Sequence, residues 1–290
     1  MTHDLPEPPE TVRIEGPGGR RIAYCSYGDP AAAPVIVLHG TPGSRYEGLP
    51  LQRAATDAGV HLIFPDRPGY GETDPVPGSG FHRWNDDFLT LLDHLGRERA
   101  SLVAISGGGG YALSAARAHP DRVTKLILAA AAVPGAPKEA YARRIPIVTL
   151  LSHIVRWAPP VGGAMLAGTG VFKRLRSRDS DLSAWPRADR LVMSTPEFRA
   201  LSELDTTEGR RQGMDAALTD LSGYARSLPD ALASISVPTV FIHGEADGNV
   251  PVEVARWAHA RISGAELRIV PEGGHLFLVE DPGILLRELV

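Results

Sequence analysis

In the first half of the chain, short apolar runs alternate with segments of helical spacing. "TVRIEG" and "RIAYCSYG" flank the turn "PGG" and predict an antiparallel hairpin at a sheet edge. "PVIVLHG", Pro34 to Gly40, and "VHLIFPD", Val60 to Asp66, are continuous apolar runs of the kind that fill a parallel sheet covered on both faces. A helix-length segment ending in "RAATDAG" lies between them. Trp84, Phe88, Leu91, Leu92 and Leu95 then fall at i, i+4, i+7, i+8 and i+11, the spacing of one face of an amphipathic helix. "SLVAIS" reads as a strand, "GYALSAARAHP" as a helix closed by Pro120, and "VTKLILAAA" as the next strand.

From about Gly135 to Leu228 this rhythm stops. Arginines, prolines and short apolar clusters take over, as in "RIPIVTLLSHIVRWAPP" and "GVFKRLRSR". At about 90 residues the stretch is far longer than a loop and predicts a mostly helical insertion. The rhythm resumes with the strand "VPTVFIHG", the helix "PVEVARWAHARI", the strand "AELRIVP" and a last helix from about His275. The expected organisation is a core of residues 1–134 and 229–290 with an insertion over 135–228. Its fold class is α/β: a mostly parallel sheet of about eight strands with helices on both faces. In such sheets ligands bind at the carboxyl ends of the strands.

Composition narrows the function classes. A net charge of −4 on 290 residues gives no electrostatic case for nucleic acid or an anionic membrane. The lone Cys25 rules out an intramolecular disulfide and a thiolate metal cluster, and it has no base beside it in sequence. The start, "MTHDLPEPPE", lacks the basic and apolar regions of a signal peptide and reads as an exposed proline-rich arm. No apolar run approaches the roughly 18 residues of a membrane span. A cytoplasmic, reducing location is the expectation. The oligomeric state stays open, a homodimer exchanging its arms being one arrangement.

Chemistry concentrates in "AISGGGG", Ala104 to Gly110. A Walker loop would need Gly-Lys-Ser/Thr, which is missing. Gly107, Gly109 and Ala112 match the spacing of a dinucleotide fingerprint, but the following strand ends in alanines where an acidic ribose partner belongs. The third reading is a nucleophile elbow, a serine on a sharp strand-to-helix turn flanked by small residues. Ala104-Ile105-Ser106-Gly107-Gly108 departs from G-x-S-x-G only by one methyl group. Taken alone, the run also fits a glycine-rich helix start of structural purpose. Downstream, "HGEADGNVP" places Asp247 just past a strand end, and "VPEGGHLFL" places His275 past the next. A serine nucleophile needs a base, and the base needs a carboxylate to fix its tautomer. Ser106, Asp247 and His275 are therefore the candidate catalytic residues. The oxyanion of acyl transfer needs two donors: the Gly107 N–H and, from the sharp turn "HGTPGSR", the Thr41 N–H.

With "HGTPGSR", "DRPGYGETD", "AISGGGG", "HGEADGNVP" and "GGHLF", the chain resembles the α/β-hydrolase superfamily from about residue 11 onward. More narrowly it is similar to the lidded esterase, epoxide hydrolase and proline iminopeptidase-like group. The resemblance implies that residues 135–228 form a helical cap over the active site. It also implies a loop of structural purpose at "DRPGYGETD", held by hydrogen bonds of Asp66 and Arg67. Two departures bear on activity. The epoxide hydrolases and haloalkane dehalogenases of this group carry aspartate at the elbow, where this chain has Ser106. Proline iminopeptidases carry His-Gly-Gly-Pro-Gly, where this chain has Thr41 in place of the middle glycine.

The expected activity is thus hydrolysis of a carboxylic ester, lactone or related acyl bond of a hydrophobic small molecule, without metal or cofactor. A C–C bond hydrolase, a cofactor-free haloperoxidase, or a ligand-binding protein on the same scaffold are the alternatives. The insertion holds Met165, Met193 and Met214, three of the four methionines, with Trp157 and Trp185. Adaptable side chains suit an irregular apolar pocket, so these five are the candidate pocket residues; packing the insertion's own core is the competing use.

Overall fold

The computed structural model of the chain describes residues 7–78, 80–167, 182–224 and 232–290. The first six residues of the proline-rich arm and the stretch "GVFKRLRSR" lie outside the described residues.

Eight strands form one sheet in the order β1-β2-β4-β3-β5-β6-β7-β8. They are β1 Val12–Glu15, β2 Arg21–Gly28, β3 Pro34–Leu38, β4 His61–Pro65, β5 Ala100–Ile105, β6 Val123–Ala129, β7 Thr239–Gly244 and β8 Glu266–Val270. The β1–β2 hairpin is antiparallel, as is β2 against β4, and β3 to β8 run parallel. The central strands alternate between two cores with the period of two that a pleated strand imposes. Ile36, Leu38, Leu102, Ala104, Leu126 and Leu128 face one layer. Val35, Val37, Val103, Ile127 and Ala129 face the other. The continuous apolar runs in the sequence are the signature of this two-sided burial.

Helices α1 Gln52–Asp57, α2 Asn85–His94 and α3 Gly109–Ala118 follow β3, β4 and β5. The predicted stripe Trp84, Phe88, Leu91 and Leu92 is buried in the first core. Between β6 and β7 the described elements are all helical: α4 Pro146–Trp157, α5 Pro159–Ala167, α6 Arg187–Ser194, α7 Pro196–Gly209 and α8 Asp215–Tyr224, with short 3₁₀ turns. We refer to this segment as the cap. After β7 come α9 Val252–His259, then α10 Phe277–Glu280 and α11 Gly283–Leu286. The last two were expected as one helix. They are split at Asp281 (φ −136°), because the residue before Pro282 is driven out of the helical region. No helix among the described residues is long and apolar enough to cross a membrane.

Strand order sets the place of the site. From β3 the chain passes to β4 on one side and then to β5 on the other. Loops leaving the carboxyl ends of β3 and β5 therefore diverge and open a crevice between them. Thr41 lies in the first of these loops and Ser106 in the second. Of the two residues expected to hold the "DRPGYGETD" loop, Asp66 does so, while the Arg67 side chain bonds outside it. Asp66 accepts from the Arg45 N–H at 2.7 Å, from Arg45 Nη1 at 2.6 Å and from the Glu72 N–H at 2.9 Å. Arg45 Nη1 also pairs at 2.7 Å with Glu208 of α7, which fastens the cap to the core.

Candidate active site

Ser106 sits immediately after β5 at φ +47°, in the left-handed region that L-residues avoid. Such a conformation costs about 1–3 kcal/mol and persists only where surrounding packing imposes it. The glycines supply that packing. A Cβ on Gly107 would lie 2.2 Å from Thr41 Oγ1 and 2.9 Å from Thr41 N, and one on Gly109 would lie 2.1 Å from Ala132 O. The glycine run thus lets the protein's own backbone close on the elbow, a use different from cradling a phosphate. The Ala132 N–H donates to Ser106 O at 2.9 Å and holds the turn from the other side.

His275 enters from the loop after β8. Its Nε2 is 3.0 Å from Ser106 Oγ and its Nδ1 is 2.7 Å from Asp247 Oδ2. Asp247, in the loop that follows β7, accepts at Oδ1 from the Asn249 and Val250 N–H groups, both at 2.8 Å. Burial alone raises a carboxylic acid's pKa. Here the charge and hydrogen bonds of His275 and His243 outweigh it and hold Asp247 below its usual range. Burial works against the charged form of His275, but Asp247, Asp189 and Glu47 outweigh it and raise its pKa. The three residues picked from the sequence are thus brought into one continuous hydrogen-bond chain.

Thr41 and Gly107 are brought side by side, and neither N–H donates to another described residue. The Thr41 loop is fixed by three contacts to Gly40. The Gly40 N–H donates to Glu47 Oε2 at 2.6 Å. Gly40 O accepts from His39 Nδ1 at 2.8 Å and from Arg67 Nη2 at 2.7 Å. Gly107→Ala should therefore push Thr41 away by more than an ångström and lower kcat by about 100-fold, since misplacement on that scale costs about that much. Steady-state kinetics with a circular-dichroism check of folding measure it.

A cavity of about 250 Å³ holds Ser106, Thr41 and His275. Its wall from the cap is α7, through Phe198, Leu201, Ser202, Asp205 and Thr206; Glu47 and Leu278 contribute from the core. The five pocket residues expected from the sequence are elsewhere. Trp157 is 76 % exposed on α4, and Met214 packs against Tyr70 in a small separate cluster. Met165 lies on α5, Trp185 just before α6 and Met193 on α6, and none of the five lines this cavity. Residue type identified adaptable side chains but carried no information on which helix turns inward.

Sequence reasoning also missed four cap carboxylates that reach core loops. Asp189 accepts from the Leu276 N–H at 2.9 Å. Asp205 accepts from the Ser44 N–H at 2.8 Å, Glu208 meets Arg45, and Asp220 pairs with Arg67. Each contact joins residues far apart in the chain, and an isolated Asp or Glu on a helix gives no signal of it. Among the described residues no group of three His, Cys, Asp or Glu is arranged to hold a metal ion.

Residues 33–282 match the family described as alpha/beta hydrolase fold. The chain is 29% identical to Epoxide hydrolase A of Mycobacterium tuberculosis, over 97% of this chain and 96% of that protein. Among solved structures it resembles a bromoperoxidase from Bacillus anthracis, with a TM-score of 0.73, 20% identity, and 97% and 98% of the two chains covered. An esterase from Exiguobacterium antarcticum superposes with a TM-score of 0.68 at 24% identity, again over 97% and 98%. At these identities the two structures speak to the fold alone, while the family match extends over most of the chain. The protein belongs to the alpha/beta-hydrolase family of enzymes.

Proposed function

We propose that this protein is a serine hydrolase of carboxylic esters, lactones or related acyl compounds with a small hydrophobic acyl group. The observation that carries this reading is the unbroken chain Ser106–His275–Asp247 opening into a cavity beside the Thr41 and Gly107 N–H groups, neither of which donates to another described residue. His275 accepts the Ser106 proton as Oγ attacks the carbonyl carbon. Asp247 holds the imidazole with its proton on Nδ1 and stabilises the charged ring. The Thr41 and Gly107 N–H groups receive the oxyanion. Collapse expels the alcohol, protonated by His275, and leaves an acyl ester on Ser106. Water, deprotonated by His275, then releases the acid.

Serine favours acyl over epoxide chemistry. Attack by a carboxylate on an epoxide leaves an ester that water can cleave, whereas attack by Ser106 would leave an inert ether. The apolar lining of Phe198, Leu201, Leu276, Leu278 and Val279 supports a hydrophobic acyl group, and the volume of about 250 Å³ favours a short one. Hydrolysis of p-nitrophenyl esters of increasing chain length tests this: activity should peak at acetate to butyrate and fall for long chains. Saturable binding without turnover across an ester and lactone panel would overturn the reading in favour of ligand capture.

The pH dependence follows from the anionic neighbours of His275. The base must be neutral to act, and its pKa is raised by Asp247, Asp189 and Glu47 against the opposing effect of burial. The acid limb of kcat/KM should therefore inflect above the ordinary histidine value of about 6.5. Glu47, whose own pKa is raised chiefly by burial, makes the smallest of the three contributions to that shift. Glu47→Gln keeps an acceptor for the Gly40 N–H but removes the charge, so the inflection should move to lower pH.

A further inference from the structure

The Thr41 donor is only as well placed as the peptide that carries it. A trans peptide is planar, so fixing the Gly40 carbonyl fixes the Thr41 N–H on the opposite edge. Two groups hold that carbonyl: His39 Nδ1 and Arg67 Nη2. His39 is locked in the donating tautomer because its Nε2 accepts from the Arg67 N–H at 3.0 Å. Arg67 Nη2 also donates to Thr41 Oγ1 at 2.7 Å, so one nitrogen spans both ends of the turn.

Arg67 is fully buried, and a guanidinium there needs a counter-charge. Asp220, from the middle of α8, supplies it by pairing with Nη1. Asp220 is itself held by the Tyr70 and Tyr111 hydroxyls, at 2.8 and 2.5 Å, and lies 3.8 Å from Arg83 Nη2. The rings of Tyr70 and Tyr111 lie 4.6 and 4.9 Å from the Arg67 guanidinium carbon, leaving it little rotational freedom. The same helix ends on Tyr224, whose hydroxyl donates to Gly107 O and accepts from the Gly110 N–H, both at 2.9 Å. Asp220 Oδ2 also accepts from Thr41 Oγ1 at 3.4 Å, so one cap helix touches the loops of both proposed oxyanion donors.

We infer that Asp220 is a positioning residue for the oxyanion site: acting through Arg67, this cap carboxylate sets the direction of the Thr41 N–H, so the donor is complete only with α8 seated on the core. The inference rests on the proposed acyl-transfer reading. It assigns the cap a part in transition-state stabilisation besides enclosing the substrate.

The test removes the charges as a pair, Arg67→Met with Asp220→Leu, because apolar replacement of a buried ion pair is commonly neutral or stabilising. With p-nitrophenyl butyrate, kcat should fall about 10- to 100-fold, somewhat less than outright loss of an oxyanion donor, while KM changes little. Affinity for an alkyl boronic acid, which forms a tetrahedral adduct with the serine, should fall by the same factor, and affinity for the product butyrate should not change. A folded double variant with kcat and boronate affinity within about twofold of wild type would overturn the inference, since Asp220 would then be cap glue only. Should that pair not fold, Tyr70→Phe with Tyr111→Phe keeps both charges and loosens Asp220; a 3- to 10-fold fall in kcat with parallel loss of boronate affinity is then expected, and no change overturns the inference. Failure of wild-type Ser106 to react with a fluorophosphonate would overturn the acyl-transfer reading itself. A reactive wild type with unaltered variants would overturn this inference alone.

Discussion

Ser106→Ala should lose ester hydrolysis by a factor of about 10⁵ or more in kcat, with KM little changed and the fold intact. The magnitude follows from the cooperation within the chain. Without Oγ, His275 has no proton to accept and the acyl-enzyme route closes, so only binding and the oxyanion donors remain to assist water. The substitution removes a single atom from a residue held at φ +47° by its neighbours, and alanine tolerates that conformation no worse than serine. A comparable melting temperature would show that the loss is chemical. Residual activity within tenfold of wild type would mean that turnover runs through another group.

The second large effect is expected from Asp247→Asn, about 10⁴-fold in kcat, and the reason is geometric. Oδ1 accepts from the Asn249 and Val250 N–H groups, so an asparagine keeps its carbonyl oxygen there. Its amide then replaces Oδ2 and points N–H groups at His275 Nδ1, 2.7 Å away. Nδ1 must become the acceptor, which moves the ring proton to Nε2, facing Ser106 Oγ, where it blocks proton abstraction. Loss of the anion should also lower the His275 pKa, so the remaining activity should extend to more acidic pH. An Asp247→Asn variant retaining more than a tenth of wild-type kcat would show that the carboxylate does not set the tautomer.

The core and the chain of three were legible for one physical reason. A strand buried on both faces must be continuously apolar, and loops at the carboxyl ends of parallel strands must converge on one edge. Reading the runs "SLVAIS", "PTVFIHG" and "AELRIVP" therefore located the residues that follow them. The hydrogen bonds of Asp66 and Arg67 were expected within their own loop, and Arg67 proved to reach further, to Gly40 and Asp220. The cap pocket was not legible. Trp157 and Met214 are as apolar as Phe198 and Leu201, yet only the latter pair lines the cavity. Which apolar helix face turns toward the site depends on anchors such as Glu208 on Arg45 and Asp205 on Ser44. These are single charged residues meeting partners across the chain, with no local period or motif to announce them. The last helix, read as one from about His275, is two short helices because Pro282 interrupts it.

The central claim is that Ser106 is the nucleophile of acyl transfer. Treating the protein with a fluorophosphonate and mapping the adduct by peptide mass spectrometry tests it most directly. The account predicts one adduct per chain, on Ser106, formed in step with loss of esterase activity and absent from Ser106→Ala. Full activity with Ser106 unmodified, or an equal adduct on the Ser106→Ala protein, would contradict it.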